Sequence, residues 1–424
     1  MRHSILPPLT LALITLALYV QILGHDFFYH WDDQWVVINS FTENGLSASN
    51  LWSVLTTFYH GQYAPMNELS YMVVHSLFGF NATAFHAASL LWHTANVLLV
   101  YLFLSRLLPM MKIEVLEGHE RATAWLTALI FAVHPVGVEA VAWISASKIL
   151  VYAFFYLCAL TMYLRYVERP SVAGYAALLA LFTLSFLGKE QAVVLPLAFL
   201  LTDYAVRRQQ RPLYLVAEKL PFLALALFFG IVTILSQGQA PSMPNYSIAA
   251  RMVYACNAFV DYLFRAFIPV NLSYIYPFPT QPGEPLPMAL WGYPLAALVV
   301  AAFVLALRKS RLVVFCALFF LVHLLVTLHI ISLARFTLTA DRYCYLALLA
   351  PALLTSVGAI KAYSKWRLSS IAGALYIAYL CTYTFIYTQQ WTDSDTLKLH
   401  MRQVLEQRGD IRKGDAGKIG TKGR

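Results

Sequence analysis

Apolar stretches long enough to cross a bilayer recur along almost the whole chain, separated by short turns that carry most of its charge. A spanning helix needs about 20 consecutive apolar residues. Windows at 5–24, 84–106, 122–142, 147–165, 171–188, 191–206, 212–236, 288–307, 312–332, 343–360 and 368–388 meet that need and predict eleven spans. Two longer intervals break the rhythm, at 25–83 and 237–287, and loops of that length usually carry function. Within them, NLWSVLTTFY, MNELSYMVVHSLFGF and RMVYACNAFVDYLFRAFIP alternate apolar and polar residues too often to span. They read as amphipathic helices lying on the membrane surface. The fold class is an all-α polytopic membrane protein.

Composition agrees: 60% of residues are hydrophobic and only 12% charged, which excludes a soluble domain. The opening apolar run lacks a clear cleavage site and is followed by many similar ones, so it reads as a retained first helix. The five cysteines are scattered without C-x-x-C spacing, which argues against a disulfide framework and a zinc site. The net charge of +9 is spread over short loops and forms no nucleic-acid patch.

It serves better to orient the spans, because Lys and Arg prefer cytoplasmic loops. With the N-terminus inside, sixteen basic residues fall on inner ends and six on outer ends. The chain therefore reads as N-inside and C-outside, with 25–83 and 237–287 as outer loops. Counting 251–269 as a span would turn the RKSR cluster outward.

This topology gathers ionisable residues at one membrane face: Asp32 and Asp33, His134, Glu139 and Lys148, Lys189 and Glu190, Asp341 and Arg342. Charges at membrane depth are costly, so a shared level of acids and bases is a candidate site. Each also has a plainer reading. Asp32 and Asp33 suit helix caps as well as chemistry, His134 beside Pro135 suits a structural histidine, and GKE and ADRY suit local ion pairs. Sequons at Asn81, Asn245 and Asn271 decide nothing.

Eight motifs follow one another along about residues 20–400: HWDDQWVVINS, YAPMNELSYMVVHSLFGFNATAFHAASLLWHTANVLLVYLFL, FAVHPVGVEAVAWISASKILVYAFFYLCALTMYLRY, GKEQAVVLPLAFLLTDY, EKLPFLALALFFGIVTILSQ, NLSYIYPFP, ADRYCYL and QQWTDSDTLKLH. Together they resemble the GT-C fold membrane glycosyltransferases that use a polyprenyl-phosphate sugar. Within these, they are similar to the transmembrane O-mannosyltransferases with tetratricopeptide repeats and to their bacterial relatives. The resemblance implies transfer of a sugar, mannose by preference, to a protein hydroxyl on the outer face with inversion.

By the same resemblance Asp32 and Asp33 match an acidic pair beside the acceptor, with Asp33 slightly favoured as general base. Lys148, Lys189, Arg342 and His134 are the candidates to hold the departing phosphate, with Glu139, Glu190 and Asp341 in support. The implied partners are the polyprenyl-phosphate donor, a protein or glycan acceptor and the bilayer, with no metal and no other cofactor.

Departures matter too. Ala64 stands before Pro65 where eukaryotic members tend to have a basic residue, which points to the bacterial branch and its plasma membrane rather than the endoplasmic reticulum. Residues 1–390 read as the catalytic domain and 391–424 as a short external tail, a remnant of the repeat region expected after QQWTDSDTLKLH. A glycolipid or cell-envelope glycan is the alternative acceptor. A transporter or flippase would place its charges near the midplane in paired halves, and a non-enzymatic scaffold would not need Asp32 or Arg342.

Overall fold

The computed structural model describes residues 5–29, 31–237, 246–330 and 337–408. Asn245, Arg335 and the tail beyond Arg408 lie outside them. Helices α1 (Leu6–Tyr19), α6 (Ala82–Met111), α7 (Glu120–Val133), α9 (Lys148–Glu168), α10 (Val172–Gly188), α11 (Leu195–Val206), α12 (Pro212–Gln237), α14 (Gly292–Ala306), α15 (Arg311–Leu324), α16 (Leu349–Lys365) and α17 (Ser369–Gln389) fall within the eleven predicted windows, several with shifted ends. The first loop folds into α2 (Asp33–Val36), α3 (Ser40–Glu43), α4 (Ala48–Thr56) and α5 (Pro65–Phe78). Helix α8 (Val138–Ala142) continues α7, α13 (Ile248–Phe267) belongs to the second long loop, and α18 (Ser394–Arg408) follows the last apolar helix.

The count of eleven spans is not reproduced as such. Six helical stretches among the described residues are long and apolar enough to cross a membrane, or seven if the bent α7–α8 pair is one span. Helix α10 and the stretch Arg311–Thr327 are apolar but shorter. The physical reason is that the sequence windows ran through breaks that divide the helices.

Those breaks are written locally. Pro135 has no backbone N–H and disfavours helical geometry in the residue before it, and His134 is indeed extended, at φ −78° and ψ 127°. A 3₁₀ turn at Pro135–Gly137 follows, and the chain bends by 53° into α8. Trp143 is extended again, and Ile144–Ala146 forms a second 3₁₀ turn before α9 begins. Irregular backbone at membrane depth survives only where it is buried in protein or lines a cavity. Val138 to Ala146 are all buried.

Helix α10 ends at Gly188, where a Cβ would come within 3.0 Å of the backbone of Tyr152 on α9. Glycine thus allows the close approach that sets the position of Lys189.

At the other end of α9 lies a buried charge network that the sequence did not announce. The Lys219 Nζ donates to Asp203 Oδ2 at 2.6 Å and to Glu218 Oε1 at 2.9 Å. Arg208 clasps Glu218 at 2.8 and 2.9 Å, and the Tyr163 hydroxyl donates to Asp203 at 2.6 Å. Two cations and two carboxylates cancel, and α9, α11 and α12 are joined through the network. Lys219 has no solvent exposure, so its removal leaves an uncompensated carboxylate in the interior. Lys219→Ala should cost roughly 3–5 kcal/mol of stability, read as a lowered thermal midpoint in detergent. An unchanged midpoint would contradict this account.

Candidate functional site

Asp33 opens the short helix α2 and is 1% exposed. Its Oδ2 accepts from the Phe28 N–H at 2.9 Å. Its Oδ1 accepts from the Ser145 N–H at 3.0 Å and from the Ser145 hydroxyl. The irregular 3₁₀ turn between α8 and α9 supplies the Ser145 donors, so the helix break and the buried aspartate satisfy each other. Burial nevertheless pushes the Asp33 carboxyl up to about 6, against the pull of those three bonds. Both of its oxygens are engaged by the protein.

Asp32 differs. It stands at the N-cap of α2 but makes no side-chain cap bond. Instead it lines a cleft together with Lys148, Lys189, Glu190 and Arg342. Successive residues on a helical turn point about 100° apart, so only one of two adjacent carboxylates can face the cleft while the other faces the core. Asp33, slightly favoured from the sequence as the reacting group, is the one turned to the core, and Asp32 is the one on the cleft.

The cations arrive from three separate breaks. Lys148 begins α9 and donates to Gln62 Oε1 at 2.6 Å rather than to a carboxylate. Lys189, just past the end of α10, pairs with Glu190 at 3.1 Å and lies 5.8 Å from the centre of the Tyr343 ring. Arg342 sits on the 3₁₀ turn Asp341–Cys344. Glu139 of α8, wholly buried, accepts from the Arg342 N–H at 2.8 Å and also from its guanidinium. The guanidinium lies 5.4 and 4.8 Å from the ring centres of Trp143 and Tyr343. Glu139 thereby fixes both the main chain and the head group of Arg342.

Asp341 points away from Arg342. It accepts from Arg265 of α13 at 3.0 Å and from the Tyr276 hydroxyl at 2.9 Å. ADRY is therefore not a local ion pair but two, reaching to opposite sides, whereas GKE is a local pair. The structure does not bring His134 to the cleft. It is fully buried, and its Nδ1 accepts from the Val136 N–H at 3.3 Å, a structural role at the helix break.

Sequence reasoning missed the uncharged part of the lining. Trp35, His60, Gln62, Trp143, Tyr274 and Tyr343 all face the cleft. Tyr274 packs 4.3 Å from Trp31 and 5.2 Å from Trp143 between ring centres, forming an aromatic wall. Most of these residues lie inside the motifs quoted above, but nothing local distinguishes a cleft aromatic from a core one.

A smaller pocket adjoins the cleft and shares Trp35, Gln62 and Lys148 with it. Glu68 of α5 also lines it and accepts from the Thr42 hydroxyl at 2.8 Å. Burial raises the Glu68 carboxyl to about 7. Among the described residues no cluster of three or more His, Cys, Asp or Glu could hold a metal.

Residues 62–236 match the dolichyl-phosphate-mannose-protein mannosyltransferase family. The chain is similar to the protein O-mannosyl-transferase F38B6.6 of Caenorhabditis elegans, with 25% identity over 63% of this chain and 39% of that protein. It is similar to the mouse protein O-mannosyl-transferase TMTC2, at 29% identity over 38% of this chain and 18% of the relative. It is also similar to the human protein O-mannosyl-transferase TMTC1, at 28% identity over 34% and 16%. The matches thus span about two fifths or less of these relatives' lengths. By sequence the chain is mannosyltransferase-like, as its motif series implied.

Two stability outcomes follow from this geometry. Asp33→Asn replaces one accepting oxygen with a donor that faces the Phe28 or Ser145 N–H, so its thermal midpoint should fall, while Asp32→Asn should melt with the wild type. Equal midpoints would mean that Asp33 does not hold the first loop. Glu68 has a folded pKa raised above its unfolded value, so the stability it contributes is full below about 4.5 and is lost as pH rises through about 7. Between pH 6 and 8 the wild-type midpoint should therefore decline more than that of Glu68→Gln; parallel curves would show that Glu68 titrates normally.

Proposed function

We propose that this chain transfers a mannosyl residue from a polyprenyl-phosphate donor to a hydroxyl of a protein acceptor, with inversion, on the non-cytoplasmic face of the membrane. The observation that carries this reading is the single cleft in which a carboxylate from the first loop faces cations from three helix breaks. The outward placement rests on the excess of Lys and Arg on the opposite ends of the spans. The relatives' printed names supply the sugar and the acceptor class.

Asp32 is the general base. Its carboxylate takes the proton from the acceptor hydroxyl as the hydroxyl oxygen bonds to the anomeric carbon. The bond between that carbon and the phosphate oxygen breaks on the opposite face, and the electron pair leaves with the polyprenyl phosphate. A carboxylate within reach of the attacking hydroxyl suits this role.

The departing phosphate gains negative charge, which fixed cations stabilise without reorganisation. Lys148 is the best placed, because its nearest partner is the neutral Gln62 amide. Arg342 and Lys189 each bring a carboxylate partner with them, so they contribute directed donors more than net charge. A lipid-borne donor explains why the cleft sits at the level of helix ends, since its phosphate stays at the interface while its tail remains in hydrocarbon.

Transfer from radiolabelled polyprenyl-phosphate mannose into protein, in membranes at matched expression, tests this directly. Asp32→Asn should lower the rate by about 10²–10⁴, the usual worth of a positioned base. Lys148→Ala and Arg342→Ala should each lower it by about 10²–10³, as loss of a charge-stabilising donor does. Wild-type transfer that persists in Asp32→Asn would remove Asp32 from the mechanism.

A further inference from the structure

The turn at residues 59–62 places a histidine in a backbone region that few non-glycine residues adopt. Tyr59 and Gln62 exchange both backbone hydrogen bonds, at 3.0 and 2.9 Å, and enclose His60 and Gly61 as the two central residues of a tight hairpin. Both are left-handed, at φ 49° and 74°. Such turns are dominated by Asn-Gly, Asp-Gly and Gly-Gly. Histidine adopts the left-handed region less easily than glycine, and a residue held there is a pointer to function when a neighbouring site gives it a use.

The site is at hand. His60 lines the same cleft as Asp32, its ring centre 5.1 Å from that of Trp35, whose backbone N–H donates to the Asp32 carbonyl one turn back. Across the turn, Gln62 holds Lys148. One hairpin thus adds two side chains to the cleft: Gln62 orients the cation, and the exposed His60 imidazole stands at the tip against the Trp35 ring.

The lining also includes Thr233, Ser236 and Gln237 at the end of α12. The same helix carries exposed Leu227, Phe228, Ile231, Ile234 and Leu235, an outer face suited to hydrocarbon. A lipid-borne donor is best received along α12, which leaves the first-loop part of the lining, Asp32, Trp35 and His60, to the acceptor.

We propose that His60 and Trp35 form the acceptor subsite, which takes a polypeptide segment bearing the hydroxyl to be modified. His60 acts there as a specificity-determining residue: the imidazole supplies a polar contact and, with the Trp35 face, a flat wall that holds the segment over Asp32. This deepens the transfer reading and rests on it for the identity of the acceptor. It does not rest on turnover.

The test is binding, measured on the full chain in lipid nanodiscs. A fluorescein-labelled peptide rich in Ser and Thr is titrated by anisotropy, and radiolabelled polyprenyl phosphate by filter binding, for wild type, His60→Ala, His60→Asn and Asp32→Asn. Asn suits the left-handed turn and lacks the ring, so it separates the imidazole from the hairpin. Both His60 variants should bind the peptide at least fivefold more weakly and the lipid within twofold of wild type. Unchanged peptide affinity in both variants, a parallel loss of peptide and lipid affinity, or a wild type that does not bind the peptide overturns the proposal. Failure of the transfer reading looks different: a wild type that binds the peptide through His60 yet transfers no mannose.

Discussion

The acceptance of three hydrogen bonds by the buried Asp33 carboxylate is the interaction on which the cleft depends. A helix that breaks at membrane depth leaves backbone N–H groups without partners, and an unsatisfied buried donor is expensive. Ser145 lies in such a break. Asp33 satisfies its N–H and its hydroxyl while holding the Phe28 N–H with the other oxygen, so the first loop is fastened to the α8–α9 junction. Asp32 is then carried into the cleft, one residue from a fixed point. The burial of one aspartate is what orients the other.

A second constraint is electrostatic. On the proposed reading the site presents positive charge to a phosphate without leaving bare cations in a low-dielectric environment, where an isolated charge is heavily penalised. The structure resolves this by grading its cations. Arg342 is locked to Glu139 and lies near the Trp143 and Tyr343 rings, Lys189 has Glu190, and Lys148 donates its hydrogen bond to an amide. Two cations are therefore directly paired with carboxylates, and the third hydrogen-bonds to a neutral group. Behind them, Arg265 and Tyr276 keep Asp341 on the far side of the turn, away from Arg342.

Much of this arrangement was legible in the chain. Apolar windows located the long helices because the length and polarity a bilayer demands are properties of contiguous sequence. The bend at α7–α8 was written in Pro135, and the amphipathic patterns of 50–59 and 66–80 correspond to α4 and α5. The sequence grouped Asp32, Lys148, Lys189, Glu190 and Arg342 at one membrane face, and these five line the cleft, whereas His134, Glu139 and Asp341 of the same group do not. The charge network of Asp203, Arg208, Glu218 and Lys219 escaped because its members read as ordinary loop charges until α11 and α12 pack together.

By itself, then, the sequence determined the membrane class, the places where the long apolar helices run, and a pool of ionisable groups from which the cleft draws. Only the tertiary structure decided which of two adjacent aspartates looks into the cleft. It alone decided that Glu139 rather than Asp341 holds Arg342, that His134 stays in the core, and that a left-handed turn brings His60 to the cleft. Each of these is a choice of direction for a side chain whose partner lies on another segment. Periodicity and composition describe one segment at a time, and direction is settled only when two of them pack.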